Sequence, residues 1–279
     1  MQKITDPQYL TQDQYKDSSN LEARIEIHKR FSTNPQGWFN WVFDTLDQFP
    51  KNARVLELGC GAGTIWKECA DRISAGWVIT LSDLSDGMLD SAWRNLVVTG
   101  HNFKFEKIDA QAIPYADQTF DIVIANHIMY HVPDRRQALS EIRRVLKDDG
   151  CLIATTVGEN HLHEMDAWMK VASKGRHEKF TAPFTLENGK AQIAEFFPKV
   201  EMSRYGDNLK IAEVEPLIAY IRSSLRAEDL VQDDLKKIED ELSALLAKDG
   251  KIFITKDSGL FKAFNNAFLP QSAQSSQRF

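Results

Sequence analysis

The stretch RVLELGCGAGTIW, residues 54–66, decides how the rest of the chain is read. An apolar run of strand type ends in an acid, Glu57, and three glycines follow within five residues, Gly59, Gly61 and Gly63. A strand, a glycine-rich turn and a helix form the nucleotide-binding half of a Rossmann-like fold. The helix N-terminus offers unpaired N–H groups, and missing Cβ atoms let a ligand reach the backbone. Glycine-rich turns also end strands for steric reasons alone, so the flanking elements have to decide.

Outward from that stretch, strand-like runs fall at 53–58, 77–83, 103–109, 121–126 and 151–157, with helical segments at 63–74, 86–99 and 134–147. Several runs are continuously apolar, as strands covered by helices on both faces should be. The alternation implies βαβ units and a mainly parallel, doubly wound α/β sheet. Upstream, residues 20–48 read as two helices, with Asn34 as N-cap and Pro35 at the first position of the second; Trp38, Trp41, Val42 and Leu46 share a face. Downstream, a helix is expected over 187–197 and a strand near 199–205. Residues 213–248 read as helices without strand signal, KIFITK (251–256) is strand-like, and PQSAQSSQRF has the composition of disorder.

Two more strand ends sharpen the loop's meaning. Asp83 closes the second strand, where an acid can accept hydrogen bonds from ribose hydroxyls, and Asp109 closes the third, where a carboxylate can meet an adenine edge. The glycine spacing is GxGxG rather than the dinucleotide GxGxxG. An acid at Glu57 suits a cofactor with an amino group near the loop, not one with phosphates. Both features point to S-adenosylmethionine rather than NAD.

The segments VLELGCGAG (55–63), SDLSDGML (82–89), IDAQAIPYADQTFDIVIANHIMYHVPD (108–134) and ALSEIRRVLKDDGCLIATT (138–156) resemble the class I S-adenosylmethionine-dependent methyltransferases. The resemblance implies a Rossmann-like, doubly wound, seven-stranded sheet of order 3-2-1-4-5-7-6 with strand 7 antiparallel. By that scheme residues 199–205 form strand 6 and KIFITK forms strand 7. Residues 1–48 would be an N-terminal helical cap, 49–205 the core, 206–250 a helical lid inserted between strands 6 and 7, 251–268 the segment completing the core, and 269–279 a flexible tail. It further implies a cofactor loop of Glu57, Gly59, Cys60, Gly61 and Gly63, in which Glu57, Gly59 and Gly61 cradle the methionine part and Gly63 allows close packing into the helix; the Cys60 side chain is read as turned from the ligand. Asp83 would hold the ribose, Leu84 and Met88 would wall the adenine, Asp109 and Ala110 would meet its edge, and Asn126 would face the sulfonium. Arg24 would pair with the methionine carboxylate as the N-terminal helix closes.

For chemistry, His127 and His131 lie just past the fourth strand, and His is the usual base at neutral pH. Tyr15, His28, Tyr130 and His161 are read as pocket lining. HLHE at 161–164 is not read as a metal site, because His at i and i+2 do not share a helix face. A net charge of −6 without a basic tract excludes a nucleic-acid partner, and no apolar stretch approaches the ~20 residues of a membrane span. Three cysteines give no disulfide framework. The expectation is a cytoplasmic enzyme, monomer or homodimer, that transfers methyl from S-adenosylmethionine to a small organic acceptor at O, C or N, releasing S-adenosylhomocysteine. The rival readings are a non-catalytic S-adenosylmethionine-binding regulatory protein and a nicotinamide-dependent oxidoreductase.

Overall fold

The computed structural model describes residues 3–179 and 181–266. The expected flexible tail and Phe180 lie outside the described residues. The chain opens with the turn α1 (Pro7–Tyr9) and the helices α2 (Ser19–Phe31) and α3 (Trp38–Leu46). Strand and helix then alternate through β1 (Arg54–Leu58), α4 (Thr64–Glu68), β2 (Val78–Asp83), α5 (Asp86–Leu96), β3 (Phe103–Lys107), β4 (Phe120–Asn126), α6 (Arg135–Val145) and β5 (Leu146–Val157). After them come α7 (His163–Ala172), α8 (Gly189–Ala194), β6 (Lys199–Tyr205), β7 (Asn208–Ile211), α9 (Val214–Ser223), α10 (Gln232–Asp249), β8 (Ile252–Thr255) and β9 (Ser258–Phe264).

Seven strands form one sheet of order β3-β2-β1-β4-β5-β9-β6, with β9 antiparallel to both neighbours. Period-two alternation divides its central strands between two cores. Leu56, Val123 and Leu152 point to α6 and the Phe184–Phe261 pair, whereas Val55, Ile122 and Ile153 point to α3, α4 and α5.

The seventh position is taken by SGLFKAF, not by KIFITK. Residues 252–255 pair instead with β7 in a separate two-stranded sheet. The reason is packing: Ile252 and Ile254 join Leu209, Ile211, α9, α10 and α7 in a third core, which also contains Ile27 and Phe31 of α2. The insertion therefore begins with a strand, and it shares its core with the N-terminal helix. Asn34 caps a turn rather than a helix, accepting from Gln36 N at 3.0 Å; α3 starts four residues later, after Gly37 at φ +77°.

Candidate functional site

A cavity of about 420 Å³ opens at the carboxyl ends of the strands, where the order reverses between β1 and β4. That is where open α/β sheets bind ligands, and the volume suits a small molecule. Every residue expected to touch cofactor or acceptor lines it except Gly63.

Glu57 is buried at the end of β1. Trp66 Nε1 donates to its Oε2 at 2.5 Å and Asn126 Nδ2 to its Oε1 at 2.8 Å. Burial pushes its carboxyl up to about 7, against the pull of these two donors. The Asn126 Oδ1 beside it is buried without a hydrogen-bond partner. Spare lone pairs on Glu57 and an orphaned amide oxygen make an acceptor-rich corner, which fits the amino group of a methionine moiety.

Asp83 accepts from Gly61 N at 3.0 Å and Ser85 N at 2.9 Å, which fixes its carboxylate against the glycine loop. Burial raises its carboxyl above the usual range. Leu84, Met88, Ile108 and Ala110 line an apolar slot beside it. Asp109 lies just beyond β3, and its carboxylate is already engaged by Gln111 N at 2.9 Å and by the Gln111 amide. It both forms the turn and borders the cavity.

The glycines serve the protein as much as a ligand. Gly59 has φ +65°, and a Cβ there would meet Ile128 Cγ2 at 2.1 Å. The space above that position belongs to Ile128 of the loop after β4, so Gly59 is bare for the protein's own packing. The Cys60 side chain is buried in the α4–α5 core while the residue still borders the cavity. Gly63 abuts Leu96, where a Cβ would meet Cδ1 at 2.8 Å, so its bareness lets α5 pack closely.

The other end is closed by the N-terminal segment. His131 Nδ1 lies 2.8 Å from Ile4 O, a group that can only accept. The proton is therefore on Nδ1, and Nε2 accepts from Tyr15 Oη at 3.0 Å. Both ring nitrogens are thus occupied, although the His131 ring itself borders the cavity. Ser85 Oγ donates to Tyr15 O at 2.7 Å, which ties this segment to α5. Arg24 donates to Ser223 O at 2.6 Å and lies over the Tyr15 ring; no carboxylate pairs with it among the described residues.

His127 sits at φ +53°, its N–H held by Thr155 Oγ1 at 3.0 Å, and its ring is 5.4 Å from Trp38. Such a conformation in a non-glycine residue marks a constrained position. Burial presses His127 and His131 down to about 4 and His28 to about 3. His28 Nδ1 is buried without a partner, and its ring faces Tyr220 at 5.8 Å and His161 at 6.4 Å. His161 Nδ1 accepts from Asp257 N at 3.1 Å. Tyr130 packs its ring 4.6 Å from His131. Among the described residues no group of three potential ligands could hold a metal ion.

Sequence reading missed Lys256, Trp38, Tyr220 and Ser258, all of which line the cavity. One signal for Lys256 was present. Ile252 and Ile254 point inward and Phe253 outward, and the same alternation carries Lys256 inward.

A family model described as a methyltransferase domain matches residues 56–154. Malonyl-[acyl-carrier protein] O-methyltransferase of Legionella pneumophila is 30% identical over 157 residues, 53% of this chain and 52% of that protein. The chain spans about half the length of that curated relative. Among solved structures, the [4+2]-cyclase SpnF superposes with a TM-score of 0.60 at 18% identity, covering 92% of this chain and 96% of that one. Phosphoethanolamine N-methyltransferase 2 of Haemonchus contortus, in complex with S-adenosyl-L-methionine, superposes at 0.58 and 18%, covering 92% and 59%. These two likenesses are of fold. No helix among the described residues is long and apolar enough to cross a membrane. Residues 56–154, which begin at the glycine loop, thus match a methyltransferase domain, and the sheet around them has the strand order expected from the sequence.

Proposed function

We propose that this chain transfers a methyl group from S-adenosylmethionine to a small organic acceptor. The observation that carries the reading is one cavity with two unlike ends: an acid-lined end over β1–β3, and a chamber of His, Tyr and Lys over β4, β5 and β9.

When bound, S-adenosylmethionine supplies a methyl carbon already activated by its sulfonium. The chain's part is to hold, orient and exclude water. Glu57 and Asn126 Oδ1 receive the amino group, Asp83 the ribose hydroxyls, and Ala110 with Met88 the adenine. Arg24, which pairs with no carboxylate among the described residues, takes the methionine carboxylate. The segment carrying Ile4 and Tyr15 closes the chamber through His131. The same pair gives an acceptor proton a route: Tyr15 Oη takes it while passing its own to His131 Nε2. Burial raises Tyr15 above its ordinary range, so it stands ready as the neutral donor that this route needs.

Calorimetric titration with S-adenosylhomocysteine, with NAD as control, is the first test, followed by transfer of labelled methyl to candidate acceptors. Micromolar binding of the former alone and label in an acceptor are expected. Binding without transfer across a broad acceptor panel would favour the regulatory reading, and preferential binding of NAD would overturn the cofactor assignment.

A further inference from the structure

We propose that the acceptor carries an anionic group, a carboxylate or a phosphate monoester, and that Lys256 is the residue that holds it. The inference rests on the methyl-transfer reading above and names the substrate class of that same cavity.

Charge accounting leads to it. The acids lining the cavity, among the described residues, are Glu57, Asp83 and Asp109, all at the β1–β3 end. The lining cations besides histidine are Arg24 and Lys256. S-adenosylmethionine brings an ammonium for Glu57 and a carboxylate for Arg24, which leaves Lys256 without a role in cofactor binding. Position agrees. Lys256 precedes β9, whose first residue, Ser258, pairs with Val157 at the end of β5. Two strands therefore separate it from β1, on the side where the acceptor must enter.

Lys256 is an unusual residue to find there. Its side chain is only 5% exposed, and its counter-ion Asp207 is fully buried. Asp207 shares its charge widely: Oδ1 accepts from Thr33 N at 2.8 Å, Asn34 N at 3.0 Å and Thr33 Oγ1 at 3.1 Å, while Oδ2 accepts from Ser32 Oγ at 2.6 Å as well as from Lys256. A carboxylate with that many donors neutralises the ammonium incompletely, and an ammonium has three protons to place. The cation is felt across the chamber: it helps press both His28 and His127 below the usual imidazole range. Those histidines stay neutral, so no competing positive charge spreads the site, and no acid of the chamber opposes an anion. A buried, partly compensated ammonium facing a chamber whose described lining holds no acid is a receptor for negative charge.

The test uses the full chain and ligand-observed NMR with matched probes: malonate against malonamide, and phenyl phosphate against phenol, each with and without S-adenosylhomocysteine. Saturable binding of malonate or phenyl phosphate, at least about tenfold tighter than its neutral partner, is expected; whichever of the two binds identifies the anion. Lys256→Met should lose that preference while S-adenosylhomocysteine affinity stays within about twofold. Because Lys256→Met strands Asp207, the double variant Lys256→Met/Asp207→Asn removes the pair together and guards against a folding artefact. Equal binding of the neutral probes, no anion binding in the wild type, or an unchanged preference in the double variant would each overturn the proposal. Failure of S-adenosylhomocysteine to bind would instead strike the cofactor reading, and the titrations without it would still score the anion site.

Discussion

The two ends of the cavity are built differently. Over β1–β3 the lining comes from strand ends within residues 57–111, and two of its acids are held from inside that same stretch: Asp83 by Gly61 and Ser85, Asp109 by Gln111. Over β4, β5 and β9 it comes from residues 7–39, 126–133, 157–182 and 220–258. Tertiary contacts alone bring these together, chiefly the core that α2 shares with the insertion. The first end is set by the fold itself. The second can change its lining without disturbing the sheet, so it is where acceptor specificity would reside.

The sharpest way to break this contrast is to remove residues 1–17. That cut takes away Ile4 and Tyr15, the two partners of His131, but leaves Ile27 and Phe31, whose loss in a longer cut would expose the third core. Turnover should fall by on the order of 10³-fold, as for loss of a positioned proton-transfer group in a now wetter site. S-adenosylhomocysteine affinity should fall far less. If calorimetry showed affinity collapsing with turnover, the N-terminal segment would belong to the cofactor end and the division would be wrong.

Asp83→Ala probes the other end. Losing hydrogen bonds to a charged group costs about 1.5–3 kcal/mol, so S-adenosylhomocysteine should bind roughly 10- to 150-fold more weakly. Turnover at saturating cofactor should change much less. An unchanged Kd would remove Asp83 from the site.

The contrast also explains what could be read in the chain before folding. Glu57, Asp83 and Asp109 stand at the ends of apolar runs, so position along the sequence fixes position in space. Asn126 was legible for the same reason. The alternation that turns Lys256 inward was readable but its place was not, because KIFITK scans as a strand of the main sheet and its partner β7 lies 41 residues earlier, from Ile252 back to Ile211, across two α-helices. Strand character is local; the choice between two sheets depends on which core Ile252 and Ile254 can reach. The Tyr15–His131 contact spans 116 residues and depends on a backbone carbonyl, which no side-chain pattern reports.

Glu57 gives a smaller and more specific effect. With its carboxyl pushed up to about 7 by burial, the ligand-free protein is largely ionised there at pH 8 and largely neutral at pH 6. A bound ammonium favours the ionised form, so affinity should rise with pH, by about tenfold between pH 6 and 8. Glu57→Gln should bind weakly and flatten the curve. A steep curve surviving in that variant would mean that another group, not Glu57, meets the amino end.

The smallest effect is expected at the acceptor end, and its smallness is informative. His28, His127 and His131 are held at about 3, 4 and 4, so all three stay neutral from pH 5.5 upward. Turnover at saturating cofactor and acceptor should therefore change by less than about twofold between pH 5.5 and 8 on their account. Water at these rings would restore an ordinary imidazole. A step in kcat near pH 6.5 that disappears in His131→Gln would show the N-terminal segment standing open during turnover. A flat profile means that it stays shut, with the proton route running inside a sealed chamber.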